Sequence, residues 1–240
     1  MAPRILIVLT SQSTIPKNGK QTGWFLPEFA HPWEVFHKAG ASITVASPAG
    51  GEAPLDPGSV GYSESQNDSS SLEFYRTQSD FWKKTQRLGD LVDKVGEFDA
   101  IFYVGGHGPM FDLVTDPVSL SLIQSFASAR KPVAAVCHGP VVFVNATTPS
   151  GERLLRDATV TAFSNTEEDN VKMMELMPFS LEDELKKIPG LTYVKAEQPW
   201  EGKVVVSKAY GLGGPVVTGQ NPASATGVAE ALLKELGVNA

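Results

Sequence analysis

The stretch that most constrains this chain is Pro132–Pro140, Pro-Val-Ala-Ala-Val-Cys-His-Gly-Pro. Val133–Val136 is a short β-branched and alanine-rich run, the pattern of a strand covered on both faces. It stops at Cys137, the only cysteine in the chain. Gly139 permits a sharp turn, and Pro140 suits the first turn of a helix, where a missing N–H does no harm. A residue between such a strand and such a helix sits on a nucleophile elbow at the carboxyl end of a sheet. The N–H groups of the helix start are expected to favour a thiolate there. A lone free cysteine is commonly a buried filler. The strand, the adjacent His138 and the Gly-Pro turn favour a reactive one.

The rest of the chain alternates strand and helix patterns. Strands are expected at Arg4–Thr10, Ser42–Ser47, Asp99–Val104, Val133–Val136, Thr159–Phe163, Leu191–Lys195, Lys203–Ser207 and Pro215–Thr218. Helices are expected from Trp24 or Phe25 to Lys38, with a kink or restart at Pro32, and over Ser79–Thr85, Leu88–Val95, Pro117–Arg130, Pro140–Asn145, Asn165–Met177, Leu181–Ile188 and Pro222–Leu236. Gly50–Ser71, rich in Gly, Pro, Ser, Asp and Asn, reads as a long surface excursion. Neither an internal repeat nor a low-complexity linker interrupts the series. The pattern predicts one α/β domain over residues 1–240, with a doubly wound, mainly parallel sheet and helices on both faces. Such sheets bind ligands beyond the carboxyl ends of their strands, where Gly105–Gly108 and Cys137-His138 fall.

Charge narrows the function classes. Acidic residues outnumber basic ones, 27 to 20, for a net charge of -7, which argues against nucleic acid as a partner. No apolar run approaches the roughly 20 residues that span a bilayer, and the apolar run Ile5–Leu9 is too short for a signal peptide. A single cysteine excludes an internal disulfide framework, so a reducing, cytoplasmic setting is expected.

Cys137 is the candidate nucleophile. His138 is its sequence neighbour, and adjacent side chains normally diverge, so spacing alone leaves it either a base or a capping residue. Gly105-Gly106-His107-Gly108 is a turn with unshielded amides. Gly106 N–H, with His138 N–H, could bind an oxyanion, though glycine clusters commonly mark a tight turn alone. His107 is as compatible with a structural role as with lining a pocket. Glu28 sits among apolar neighbours, where a raised pKa is plausible, although helix periodicity alone favours an exposed residue. Glu167-Glu168-Asp169 could orient an imidazole or simply complement a helix dipole. The four histidines show no zinc-like spacing, so no metal site is expected.

Ala-Val-Cys-His-Gly-Pro at 135–140 and Gly-Gly-His-Gly at 105–108 resemble the ThiJ/PfpI superfamily, which is flavodoxin-like and class I glutamine-amidotransferase-like in fold. Gly23-Trp24-Phe25-Leu26-Pro27-Glu28-Phe29-Ala30-His31-Pro32 and Val217–Ser224 narrow the resemblance to its heat-shock-protein-31-like branch. The resemblance spans essentially the whole chain. It implies a glyoxalase III or D-lactate dehydratase, a hydro-lyase turning methylglyoxal and related 2-oxoaldehydes plus water into D-lactate, with neither glutathione nor a metal as cofactor. Cys137 then matches the nucleophile, His138 the catalytic histidine and Glu28 the carboxylate against the sulfur. Glu168 matches the acidic third member of a triad, with Glu167 and Asp169 competing for its register. Gly105, Gly106 and His107 fall at the oxyanion and substrate-binding turn. The resemblance also implies a homodimer. It raises two rivals: a holdase chaperone or redox sensor with misfolded-protein clients, using an apolar patch of Trp24, Trp33 and Trp200, and a cysteine hydrolase, peptidase or deglycase.

Overall fold

Alternate residues of short apolar strands feed two cores on opposite sides of one sheet, as the two-residue period of a strand requires. The computed structural model of the chain describes residues 2–208 and 213–238. Its strands are β1 (Arg4–Val8), β2 (Ser42–Ser47), β3 (Gln86–Arg87), β4 (Ala100–Tyr103), β5 (Val133–Val136), β6 (Thr159–Val160), β7 (Thr192–Tyr193), β8 (Val204–Ser207) and β9 (Val216–Gly219). Its α-helices are α1 (Pro27–Lys38), α2 (Pro57–Ser65), α3 (Ser69–Thr77), α4 (Asp80–Lys83), α5 (Pro117–Ser128), α6 (Asn165–Asn170), α7 (Leu181–Lys186) and α8 (Ala225–Glu235).

The main sheet has the order β3-β2-β1-β4-β5-β9-β8. Its pairs are parallel except β8, which runs antiparallel to β9. Leu6, Val8, Ile101, Tyr103, Val133 and Ala135 point to one face, covered by Leu122 and Phe126 of α5 and Leu181 and Leu185 of α7. Ile5, Ile7, Phe102, Ala134 and Val136 point to the other, covered by Phe29 and Phe36 of α1 and Val228 and Leu232 of α8. This is the doubly wound, mainly parallel architecture expected from the alternating pattern. Among the described residues, no helix is long and apolar enough to cross a membrane.

Several local expectations are corrected. The supposed excursion Gly50–Ser71 carries α2 and the start of α3. Its Asp residues are helix caps rather than loop formers: Asp56 Oδ1 accepts from Gly58 N–H (2.8 Å) and Asp68 Oδ1 from Ser71 N–H (3.1 Å). α1 continues through Pro32 without a restart. Leu88–Glu97 and Gly139–Phe143 are 3-10 rather than α-helical. The expected helix Asn165–Met177 stops at Asn170, and Lys172 then takes a left-handed φ of 58°.

The expected strand Thr159–Phe163 contributes only β6, paired with β7 in a separate two-stranded sheet. The remainder turns back to the main sheet, where Thr161 N–H donates to Thr218 Oγ1 (3.0 Å). Trp24, Trp33 and Trp200, three of the four tryptophans, form no common exposed patch. Trp24 is buried edge-on against Phe29, half-buried Trp33 stacks on His37, and Trp200 is the one left exposed.

Candidate active site

β5 ends at Val136, and Cys137 leaves it with φ of 60°. That left-handed backbone costs a non-glycine residue about 1–3 kcal/mol and persists only where the surroundings over-determine it. Here they do. Cys137 N–H donates to Gly219 O at the end of β9, and Cys137 O accepts from Phe163 N–H, both at 2.9 Å. The thiol is thereby held at the carboxyl edge of the sheet, 4% exposed.

Facing it is the turn after β4. A Cβ on Gly105 would lie 2.5 Å from Glu28 Oε2 and 2.8 Å from the Cys137 Cβ, so only glycine lets these two side chains converge. Gly106, at φ of 91°, would drive a Cβ to within 2.4 Å of Gly23 O. Its N–H is directed at the sulfur. Phe25 N–H donates to Gly105 O (3.2 Å) and Gly108 N–H to Gly23 O (3.2 Å), clamping the segment before α1 onto this turn. Glu28, in the first turn of α1, is carried inward by that clamp and is 0% exposed.

Neither Glu28 oxygen has a well-formed hydrogen bond; the carboxyl lies against the Cys137 thiol and the Gly105 amide. Burial pushes its pKa up to about 8, outweighing the smaller downward pulls of those two groups, so Glu28 keeps its proton at neutral pH. Burial also pushes the Cys137 thiol well up, and ionised Glu28 would push it further; Gly106 N–H pulls the other way. The thiolate expected from a helix start is therefore corrected. The following turn is a short 3-10 segment, and desolvation dominates, so the resting group is a thiol.

The imidazole of His138 does turn toward its neighbour, with Cys137 Sγ 3.3 Å from Nδ1. Its Nε2 lies 2.6 Å from Glu168 Oε2, and His107 Nε2 lies 2.8 Å from Glu168 Oε1. Burial opposes the charge on Glu168. The charge that His138 carries only once protonated at low pH, where the carboxyl would titrate, and the hydrogen bonds from both imidazoles outweigh it, holding the carboxyl well below its ordinary range. Burial lowers the pKa of His138, which is therefore neutral at neutral pH. An ionised carboxylate only accepts, so both Nε2 atoms carry protons and His138 Nδ1 presents a lone pair to the thiol. Although the histidine spacing offered no ligand set, the fold brings ligand atoms of His107, His138 and Glu168 within 4.8 Å of one another. Such a set is able to ligate a cation; here both imidazoles bond to the carboxylate.

The competition among three successive acids resolves geometrically. Asp169 is exposed. Glu167 is buried and takes part in a capping box with Ser164 at the start of α6. It accepts from Gln220 Nε2, Asn221 Nδ2 (2.7 Å) and Trp200 N–H (3.0 Å). Glu168 alone reaches the imidazoles. Within the Glu-x-x-His-Pro stretch, His31 has a different task, bonding Asp68 Oδ2 (2.9 Å) at the start of α3.

These groups open into a cleft of about 340 Å³ whose walls include Phe25, Tyr62, Phe163 and Trp200 besides Glu28, Gly106, His107, Cys137 and His138. Sequence reasoning did not single out Tyr62 or Phe163, and it weighed Glu167 only as a rival of Glu168 for the imidazole or as an acidic first turn. The first two carry no spacing signal. Glu167 did carry one, the Ser164-x-x-Glu167 capping box.

A parallel sheet with a strained cysteine at a strand end, backed by a histidine–glutamate pair, defines a nucleophile-elbow α/β protein. Residues 26–235 match the DJ-1/PfpI family, and the chain belongs to it. Glyoxalase 3 of Candida albicans is 32% identical over 235 residues, 95% of each chain. Among solved structures, the Francisella tularensis Rapid Encystment Protein superposes with a TM-score of 0.87 at 32% identity, over 98% of this chain and 99% of that one. Glyoxalase III from Candida albicans superposes with a TM-score of 0.79 at 29% identity, over 98% and 97%.

Proposed function

We propose that the protein is a glutathione-independent glyoxalase that converts methylglyoxal and water to D-lactate. The observation that carries this reading is the line from Cys137 Sγ through His138 to Glu168, with a proton-holding Glu28 against the same sulfur. The sulfur attacks the aldehyde carbon, and the thiol proton passes through His138 Nδ1 to the aldehyde oxygen, giving a hemithioacetal. In this reading Gly106 N–H, which is directed at the sulfur, and the His138 amide stabilise the oxyanion as it forms. His138 then removes the hydrogen from that carbon. The resulting enediol regains a proton at the adjacent carbon, and Glu28 supplies or relays protons to its oxygens. The product is a lactoyl thioester on Cys137, which water cleaves to lactate and free thiol. Cys137 itself supplies the thiol of the hemithioacetal, so no free thiol such as glutathione is consumed, which agrees with relatives named for glutathione independence. The test is incubation of the purified chain with methylglyoxal and no glutathione, followed by chiral assay of lactate. D-lactate is expected; its absence would reject the reading.

Glu168→Gln checks the role given to the third member. One carboxamide oxygen cannot accept from two imidazole N–H groups while its NH₂ faces one of them, so either His107 or His138 must change tautomer. By analogy with triads in which the carboxylate fixes the tautomer, kcat is expected to fall ~10³-fold. KM should change only a few-fold, because Glu168 does not line the cleft. Retention of kcat would remove Glu168 from the mechanism.

A further inference from the structure

We infer that the cleft is built for 2-oxoaldehydes bearing a bulky apolar substituent, arylglyoxals in particular, and that Phe163 and Trp200 form the subsite for that substituent. This rests on the glyoxalase reading and goes beyond it in naming the substrate class. Methylglyoxal displaces on the order of 90 Å³, about three water molecules' share of liquid volume. The cleft offers about 340 Å³, and its apolar walls include Ile15, Phe25, Phe163, Met173, Trp200 and Pro222. A three-carbon substrate leaves most of that apolar wall facing water.

The aromatic wall is aimed rather than incidental. Phe163 packs on the His138 imidazole with ring centroids 4.5 Å apart, and Trp200 meets Phe163 edge-on at 5.7 Å and 68°. The row therefore leads from the reacting imidazole out to Trp200, which stays 38% exposed although it is large and apolar. Trp200 has φ of 69°, a left-handed backbone that a bulky side chain adopts only under constraint. The constraint is Glu167, buried and itself anchored by Gln220 and Asn221, which accepts the Trp200 N–H. A strained residue locked by a buried carboxylate at the mouth of a reactive cleft is a preorganised wall. An aryl group on the carbonyl next to the attacked carbon can continue the ring row, edge-on or offset, as aromatic pairs prefer.

The chemistry is unchanged and balanced. The Cys137 sulfur bonds to the aldehyde carbon, whose oxygen takes the thiol proton. The carbon-bound hydrogen moves to the adjacent carbon, and water cleaves the thioester, restoring the thiol. Phenylglyoxal plus water gives mandelate, with no external oxidant or reductant.

The experiment compares kcat/KM for phenylglyoxal and methylglyoxal, without glutathione, in the intact chain and in Trp200→Ala and Trp200→Phe. In the unsubstituted chain phenylglyoxal is expected to be favoured by at least ~10-fold. Trp200→Ala should lower the phenylglyoxal-to-methylglyoxal ratio by about 10-fold, and Trp200→Phe, which keeps a ring, by no more than ~3-fold. A methylglyoxal-preferring chain, or a ratio that neither substitution moves, would overturn this inference and leave the glyoxalase reading standing. Consumption of neither aldehyde would overturn both.

Discussion

Cys137→Ala is expected to abolish lactate formation, lowering kcat by at least ~10⁴-fold, while the chain still folds. No other side chain in the cleft can form the hemithioacetal, and Cys137 is the only thiol in the chain. The fold should survive for three reasons. The side chain is small, its loss leaves the bonds from Gly219 and Phe163 to the backbone of residue 137 intact, and alanine tolerates φ of 60° no worse than cysteine does. Cys137→Gly separates the two aspects. It too removes the thiol, but it relieves the left-handed strain and is expected to be more stable than Cys137→Ala by about 1 kcal/mol. Lactate assays and thermal melts on the pair check both statements. Turnover in either variant would remove the thiol from the chemistry.

Glu28→Gln is expected to move activity and stability in opposite directions. Activity should fall by ~10²- to 10³-fold, because the amide cannot relay a proton. Stability follows from linkage. The Glu28 carboxyl titrates near 4.5 in the unfolded chain and at about 8 when folded, so between those values the folded state holds a proton that the unfolded state has released. Stability therefore falls as pH rises through that window, and the penalty is complete above pH 8. At pH 7 the linkage amounts to roughly 3 kcal/mol. The glutamine amide, also short of partners, offsets part of that relief. A net gain on the order of 1–2 kcal/mol is expected at pH 7, growing toward pH 8 and reversing to a net loss near pH 4.5, where only the cost of the unpartnered amide remains. Neutral, buried His138 works in the opposite sense, with stability lost as pH falls below its ordinary value of 6.5. That contribution is common to both chains, so the difference between their stability curves isolates Glu28. A difference independent of pH would show that Glu28 ionises normally.

The parts of this molecule legible in its sequence are those set by local period and turn chemistry. Ile5–Val8 and Val133–Val136 announce buried parallel strands through continuous β-branched and small apolar residues, and the Cys-His-Gly-Pro run marks the elbow. What was not legible depends on burial and on partners far along the chain. Glu28 looks like an ordinary helix residue until the Gly105 turn, some distance on in sequence, closes over it. The thiolate expectation failed for the same reason, since the helix-start argument carries no knowledge of the desolvation and the carboxyl that surround the sulfur. Asp56 and Asp68 were read as loop formers because the same residue types start helices and make turns. The Ser164-x-x-Glu167 signature, taken with the three successive acids, would have assigned Glu167 to the cap and left Glu168 free for an imidazole.

That division of labour within the first turn of α6 has a mechanical consequence. Neighbouring helical residues point about 100° apart, so a single turn of backbone sends one carboxylate to the tryptophan wall and the next to the paired imidazoles. The recognition surface and the proton-handling machinery thus hang from one short lever. A displacement of this backbone therefore moves the wall and the partner that sets the tautomer of His138 together, although replacing either side chain alone separates fit at the mouth from reactivity at the sulfur.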